Sequence, residues 1–152
     1  MPRRKPYYFD ADKAEAAVEF FPRFLCLVDG EWAGRPFNLA PFQAEITRQI
    51  FGWRKTSDGS RRYRFARIWI PRKNGKTTWA AGFAHLLTVG DGEPGAQVFS
   101  HALDANQASL VFETASRMAA WKMNPPLGQR TTKFPCKNSL AARMKKTTHR
   151  GM

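Results

Sequence analysis

The sequence predicts an α/β fold, a parallel sheet with flanking helices. Three observations predict it. Two stretches rich in aromatic and β-branched residues, Arg61 to Ile70 and Ala96 to Ser100, are each followed by a helical pattern, so the order is β-α-β-α. The first stretch passes into its helix through Pro71-Arg72-Lys73-Asn74-Gly75-Lys76-Thr77, a segment that cannot continue a regular strand. At 43% hydrophobic and 13% aromatic residues, the 152-residue chain also carries enough apolar material to fold despite a net charge of +13. Successive strand-helix units pair in parallel through right-handed crossovers.

Taken in order, Asp10 is placed to cap a helix over Ala11 to Phe21, whose alanines favour it and which Pro22 stops or kinks. Val28-Asp29-Gly30-Glu31 reads as a turn and Gly34-Arg35-Pro36 as a loop. A second helix opens with Pro41 in its first position, buries Phe42, Ile46 and Ile50 at spacings of four, and ends near Gly52. Lys55 to Ser60 is a loop, followed by the first strand, the loop 71–77 and the apolar helix Thr78 to Leu87. Gly90 to Gly95 is turn-rich and leads to the second strand. Asp104 and Gln107 then stand at the spacing of a capping box, before a helix with Ala108, Val111, Phe112, Ala115 and Met118 on one face. Only Ala141 to Met144 suggests a helix beyond Asn124-Pro125-Pro126, so residues 124–152 read as a basic, poorly ordered tail.

Charge and cysteine placement exclude several classes. Cys26 and Cys136 have no CxxC spacing, and His85, His101 and His149 are scattered, so neither a disulfide framework nor a zinc site is supported. The longest uncharged run, Thr77 to Gly90, is too short to span a bilayer, and the basic start lacks an apolar h-region. A soluble, cytoplasmic protein is expected. Between Arg54 and Lys76 the basic residues Arg54, Lys55, Arg61, Arg62, Arg64, Arg67, Arg72, Lys73 and Lys76 face the single acid Asp58, and nothing after Glu113 is acidic. Polyanions are the expected partners, although such a face can equally serve solubility alone. The interleaved Trp53, Tyr63, Phe65 and Trp69 could stack on bases, but their alternation fits a buried strand face better.

Gly75-Lys76-Thr77 is the C-terminal half of a P-loop. Glycine lets the backbone approach a phosphate, N–H groups at a helix start receive its oxygens, lysine reaches the β/γ-phosphates and the threonine hydroxyl ligates magnesium. In G-x-x-x-x-G-K-[ST] the first glycine would fall at Ile70, so the pattern is incomplete. A helix start with an exposed lysine would look the same in isolation; the strand before and the apolar helix after favour the phosphate loop.

This loop, with Pro41-Phe42-Gln43 and Phe51-Gly52-Trp53 before it and Gly90 to Ala96 and Asp104 to Ala108 after it, resembles the large terminase subunit of tailed bacteriophages. That family is the ATP-driven motor that packages DNA into procapsids; its Walker A loops also lack the first glycine and carry an arginine at the position of Arg72. The similarity runs from about Phe21 to Lys137. It implies a partial P-loop NTPase that binds ATP and Mg²⁺, with residues 1–62 as a helical segment bearing an adenine-side motif, 63–123 as the ATPase core and 124–152 as the tail. Lys76 would hold the β/γ-phosphates, Thr77 the Mg²⁺, and Arg72 would lie beside the γ-phosphate to stabilise transition-state charge, within a loop formed by Pro71, Arg72, Lys73, Asn74, Gly75, Lys76 and Thr77. Gln43 would hydrogen-bond the adenine edge, an exposed helical glutamine being the alternative. Gln107 reads as a cap, Trp79 as core, and His85 and His101 as structural. The implied partners are double-stranded DNA, the small terminase subunit, the portal protein or a second chain completing the ATPase domain, in a bacterial host carrying a phage or prophage.

Hydrolysis of this kind also needs a Walker B aspartate at a strand end and a glutamate to position water. After Thr77 the acids are Asp91 and Glu93 in a turn, Asp104 at a helix cap and Glu113 inside that helix. The expectation is therefore a chain that stops before the Walker B strand and cannot hydrolyse ATP alone. The competing readings are a basic nucleic-acid-binding module without nucleotide, and an inert truncated remnant.

Overall fold

Helices account for most of residues 5–92 and 94–123, the part of the chain described in a computed structural model. The order is β1 (Tyr7–Phe9), α1 (Ala11–Phe24), a 3₁₀ turn (Gly30–Trp32), α2 (Pro41–Gly52), β2 (Trp53–Lys55), α3 (Lys76–His85), a π-helical turn (Leu86–Gly90) and α4 (Ala105–Met123). Glu93, Cys136, His149 and the predicted tail and its helix lie outside the described residues.

Asp10 caps α1 as expected, its carboxylate accepting from the Lys13 N–H at 3.0 Å. The helix nevertheless passes through Pro22 to Phe24. Pro22 falls in the last turn, where few hydrogen bonds remain to be lost, and the Leu25 N–H still closes on the Phe21 carbonyl at 2.8 Å. Helix α2 keeps its expected limits, but its inward face is shifted. Gln43, Ala44, Thr47 and Phe51 are buried, Ile46 and Ile50 half-buried, and Phe42 exposed. Thr47 can be fully buried because its hydroxyl donates to the Gln43 carbonyl one turn back, at 2.7 Å.

The sheet also differs from expectation. Among the described residues it has two strands, β1 and β2, paired antiparallel with Tyr7 opposite Lys55 and Phe9 opposite Trp53. The stretches 61–70 and 96–100 form no strand ladder, apart from a single bridge between Arg54 and Arg61. Phe65 and Trp69 are each 91% exposed, and Phe99 is 71% exposed. Parallel strands are stable where helices cover both faces and further strands pair with them. Neither condition is met among the described residues, where β-propensity alone does not produce the parallel sheet.

The core lies between the helices. Phe21 is fully buried at its centre, with Phe37 and Phe83 edge-on at 5.4 and 5.7 Å, and Met118 of α4 is almost as deep. A Cβ at Gly82 would come within 2.4 Å of the Phe21 ring, so α3 presents bare backbone there. Helix α1 packs on α2, and α3 on α4. In α4 Met118 is buried and Ala108, Val111 and Ala115 are half-buried, but Phe112, predicted on the same inward face, is 71% exposed. Arg117 clamps α4 to the segment leading into the 3₁₀ turn, donating to the Val28 carbonyl and pairing with Asp29 at 2.7 Å. No helix among the described residues is long and apolar enough to cross a membrane.

The Arg48 guanidinium joins α2 to α1 by donating to Glu15 at 2.6 Å, and this bond holds the Glu15 carboxyl below its ordinary value of 4.5. A depressed carboxylate contributes stability that is fully present above the ordinary value and fades as pH falls through the folded one. Wild type and Glu15→Gln are therefore expected to differ in urea midpoint at neutral pH by a small amount, both groups being solvent-exposed, and to converge below pH 4.5. A difference that persists unchanged into acid would contradict the assignment.

Candidate functional site

The loop 71–75 enters α3 through two departures from ordinary backbone, on either side of Asn74. Lys73 has φ 67°, the only positive value at a non-glycine residue among those described, and Gly75, immediately before the helix, has φ 66° and ψ 27°. Left-handed backbone at Gly75 carries no Cβ penalty. Arg72 and Lys73 sit in a hydrogen-bonded turn, and among the described residues the amides of Gly75 to Thr78 have no main-chain acceptor; the first closing bond is Trp79 N–H to the Gly75 carbonyl at 2.9 Å. The result is a run of free N–H groups where the partial positive charge of a helix start also falls. Such a constellation suits an anion.

The side chains complete it. Lys76 lies exposed across the loop, its ammonium donating to the Ile70 carbonyl at 3.2 Å. The Thr77 side chain is half-buried and its hydroxyl makes no hydrogen bond among the described residues. Asn74 braces the turn from within through long bonds to the carbonyls of Pro71 and Arg72, at 3.4 and 3.3 Å. Pro71, Arg72 and Lys73 are exposed.

Gln43 is buried, at 6% exposure, which excludes the exposed-glutamine reading. Its Oε1 accepts from the Ala40 N–H at 3.0 Å and its Nε2 donates to the Asn74 carbonyl at 3.2 Å, so the start of α2 is bonded to the loop. Beside this contact lies a cleft of about 370 Å³, bordered by Leu27, Leu39, Phe42, Gln43, Gly75 and Thr78 among others. It has apolar walls from α2 and its approach segment, and a polar end at the loop. The structure thus brings Gln43, Asn74 and Gly75 together.

The remaining sequence assignments divide. Trp79 is core, 3% exposed, and packs on Phe83. His85 bonds the Ala115 carbonyl at 2.8 Å and joins α3 to α4. His101 is exposed beside Phe99. Asp104 does cap α4, accepting from the Asn106 N–H at 3.0 Å, but the exposed Gln107 returns no hydrogen bond among the described residues, so the capping box is half formed. Asp91 pairs with Arg61 at 3.2 Å, Glu113 stays within α4, and no carboxylate lines the cleft. No group of three or more acidic, His or Cys side chains able to hold a metal occurs among the described residues. Two contributors escaped the sequence reading, the Ile70 carbonyl as the seat of the lysine and Asn74 as a brace. The turn-forming habit of asparagine was the available signal for the second.

The comparisons with known proteins agree with this arrangement in class. Residues 41–147 match the family described as the ATPase domain of the terminase large subunit, and the chain belongs to that family. A relative is the large terminase subunit of Enterobacteria phage HK97, 31% identical over 151 residues. The match covers 90% of this chain and 28% of the relative, so the chain spans little more than a quarter of the relative's length. No solved structure gives a significant match.

At Gly75 a Cβ would meet Gln43 Nε2 at 3.7 Å, an ordinary contact, so space permits a side chain although φ does not. Gly75→Ala is expected to cost about 1–2 kcal/mol in urea unfolding through the left-handed conformation alone. A neutral effect would show that the loop can relax out of this turn freely.

Proposed function

We propose that the chain is the ATP-binding part of a viral DNA-packaging motor, with residues 71–77 as its triphosphate loop. The observation that carries this reading is the run of amides from Gly75 to Thr78 at the start of α3, unpartnered among the described residues, with the Lys76 ammonium laid across the loop. In this reading Lys76 holds the β/γ-phosphates and Arg72, exposed and unpaired in the loop, lies beside the γ-phosphate as a transition-state cation. The free Thr77 hydroxyl fits a Mg²⁺ ligand at the position the loop requires, and the ion when bound neutralises phosphate charge. The cleft beside Gln43 would receive the base. The chain alone would not hydrolyse ATP on this reading, since the cleft beside the loop is lined by no carboxylate that could position water. The division into residues 1–62, 63–123 and 124–152 belongs to the same reading. So do the small terminase subunit, the portal protein or a completing chain as partners in an infected cell.

Lys76→Ala is expected to abolish a thermal shift produced by Mg·ATP, and Thr77→Ala to weaken the Mg²⁺-dependent part while sparing magnesium-free binding. A shift unchanged by Lys76→Ala would remove the loop from the account. Duplex DNA is the proposed polyanion for the exposed Arg62, Arg64 and Arg67 outside the triphosphate loop. If about six phosphates are neutralised, log K should fall against log salt with a slope of about −5. A slope near zero would dismiss the basic face as a DNA contact.

A further inference from the structure

The two hydrogen bonds of Gln43 raise a question that base recognition does not answer. The Asn74 carbonyl that Gln43 grips belongs to the same peptide unit as the Gly75 N–H. In a planar trans peptide the C=O and N–H point in opposite directions, so fixing one aims the other. Held by Gln43 on one side, this unit directs the Gly75 N–H away from Gln43. Rotation of the unit by half a turn would place a carbonyl where the amide now stands, and a carbonyl repels phosphate. Such rotation is easiest beside a glycine, which accepts φ of either sign, and Gly75 is that glycine. The grip is also stiff, because the other end of the Gln43 amide is fixed by the Ala40 N–H in the first turn of α2 and the side chain is buried.

We propose that Gln43 is a positioning residue for the phosphate loop, locking the Asn74–Gly75 peptide in the orientation that presents the Gly75 N–H to an anion. This rests on the phosphate-loop reading of residues 71–77 above. It differs from adenine recognition in what it forecasts: Gln43 matters to any triphosphate, with or without a base.

Two variants separate the ends of the side chain. Gln43→Ala removes both bonds, whereas Gln43→Glu keeps an acceptor for the Ala40 N–H, and hence the helix start, while losing the donor to Asn74. In the intact chain, site-resolved tryptic cleavage after the exposed Arg72 and Lys73 should accelerate several-fold in both variants, with cleavage elsewhere unchanged. Calorimetric affinities for inorganic tripolyphosphate and for ATP should fall by the same factor, about two- to tenfold for one lost hydrogen bond. A loss confined to ATP would overturn the proposal in favour of base recognition, and unaltered cleavage at the loop would overturn it outright. A wild-type chain that binds neither tripolyphosphate nor ATP would instead remove the phosphate-loop reading itself, which the cleavage data do not address.

Discussion

The contact between the Phe21 ring and the bare Gly82 backbone sets the position of α3 and therefore of everything at its start. Phe21 is fully buried, and no side chain larger than a hydrogen fits where α3 meets it. Close packing of this kind is discrete, since an interior at crystal-like density does not slide by fractions of a turn. With α3 fixed against α1, and α2 fixed against α1 in turn, the Gln43 amide and the Asn74 carbonyl arrive within hydrogen-bond distance although 31 residues separate them.

The loop and its helix were legible in the sequence because their determinants are local. The strand-like stretch before Gly75-Lys76-Thr77 and the apolar run after it marked a loop leading into a helix, and Pro41 marks the start of α2 through its own fixed φ. The strands were not legible. A β-strand is made by its neighbour, and the aromatic alternation of residues 61–70 records a preference for a covered, paired surface that the described residues do not supply. Conversely, β1 and β2 pair over three residues each, too few to leave a periodic signature.

The inward face of α2 was misjudged for a related reason. Spacing counted Phe42 as core and left Gln43 undecided, yet Gln43 is buried and Phe42 is not. A glutamine can go inside when both ends of its amide find partners, and those partners come from a loop distant in sequence. Thr47, fully buried one turn later, follows the same rule through its own helix backbone. The opposite case is Phe112, whose helical register is right but which is left exposed among the described residues.

The seat of the Lys76 ammonium on the Ile70 carbonyl has an entropic consequence. A free lysine side chain gives up about 1.5–2 kcal/mol of rotamer freedom when it is immobilised. Here the four-carbon stem is already extended over the loop by one bond, to a neutral oxygen, and two of its three protons remain uncommitted. On the proposed reading an incoming anion would meet a partly preorganised cation, and part of the ordering that binding requires would already have been completed during folding.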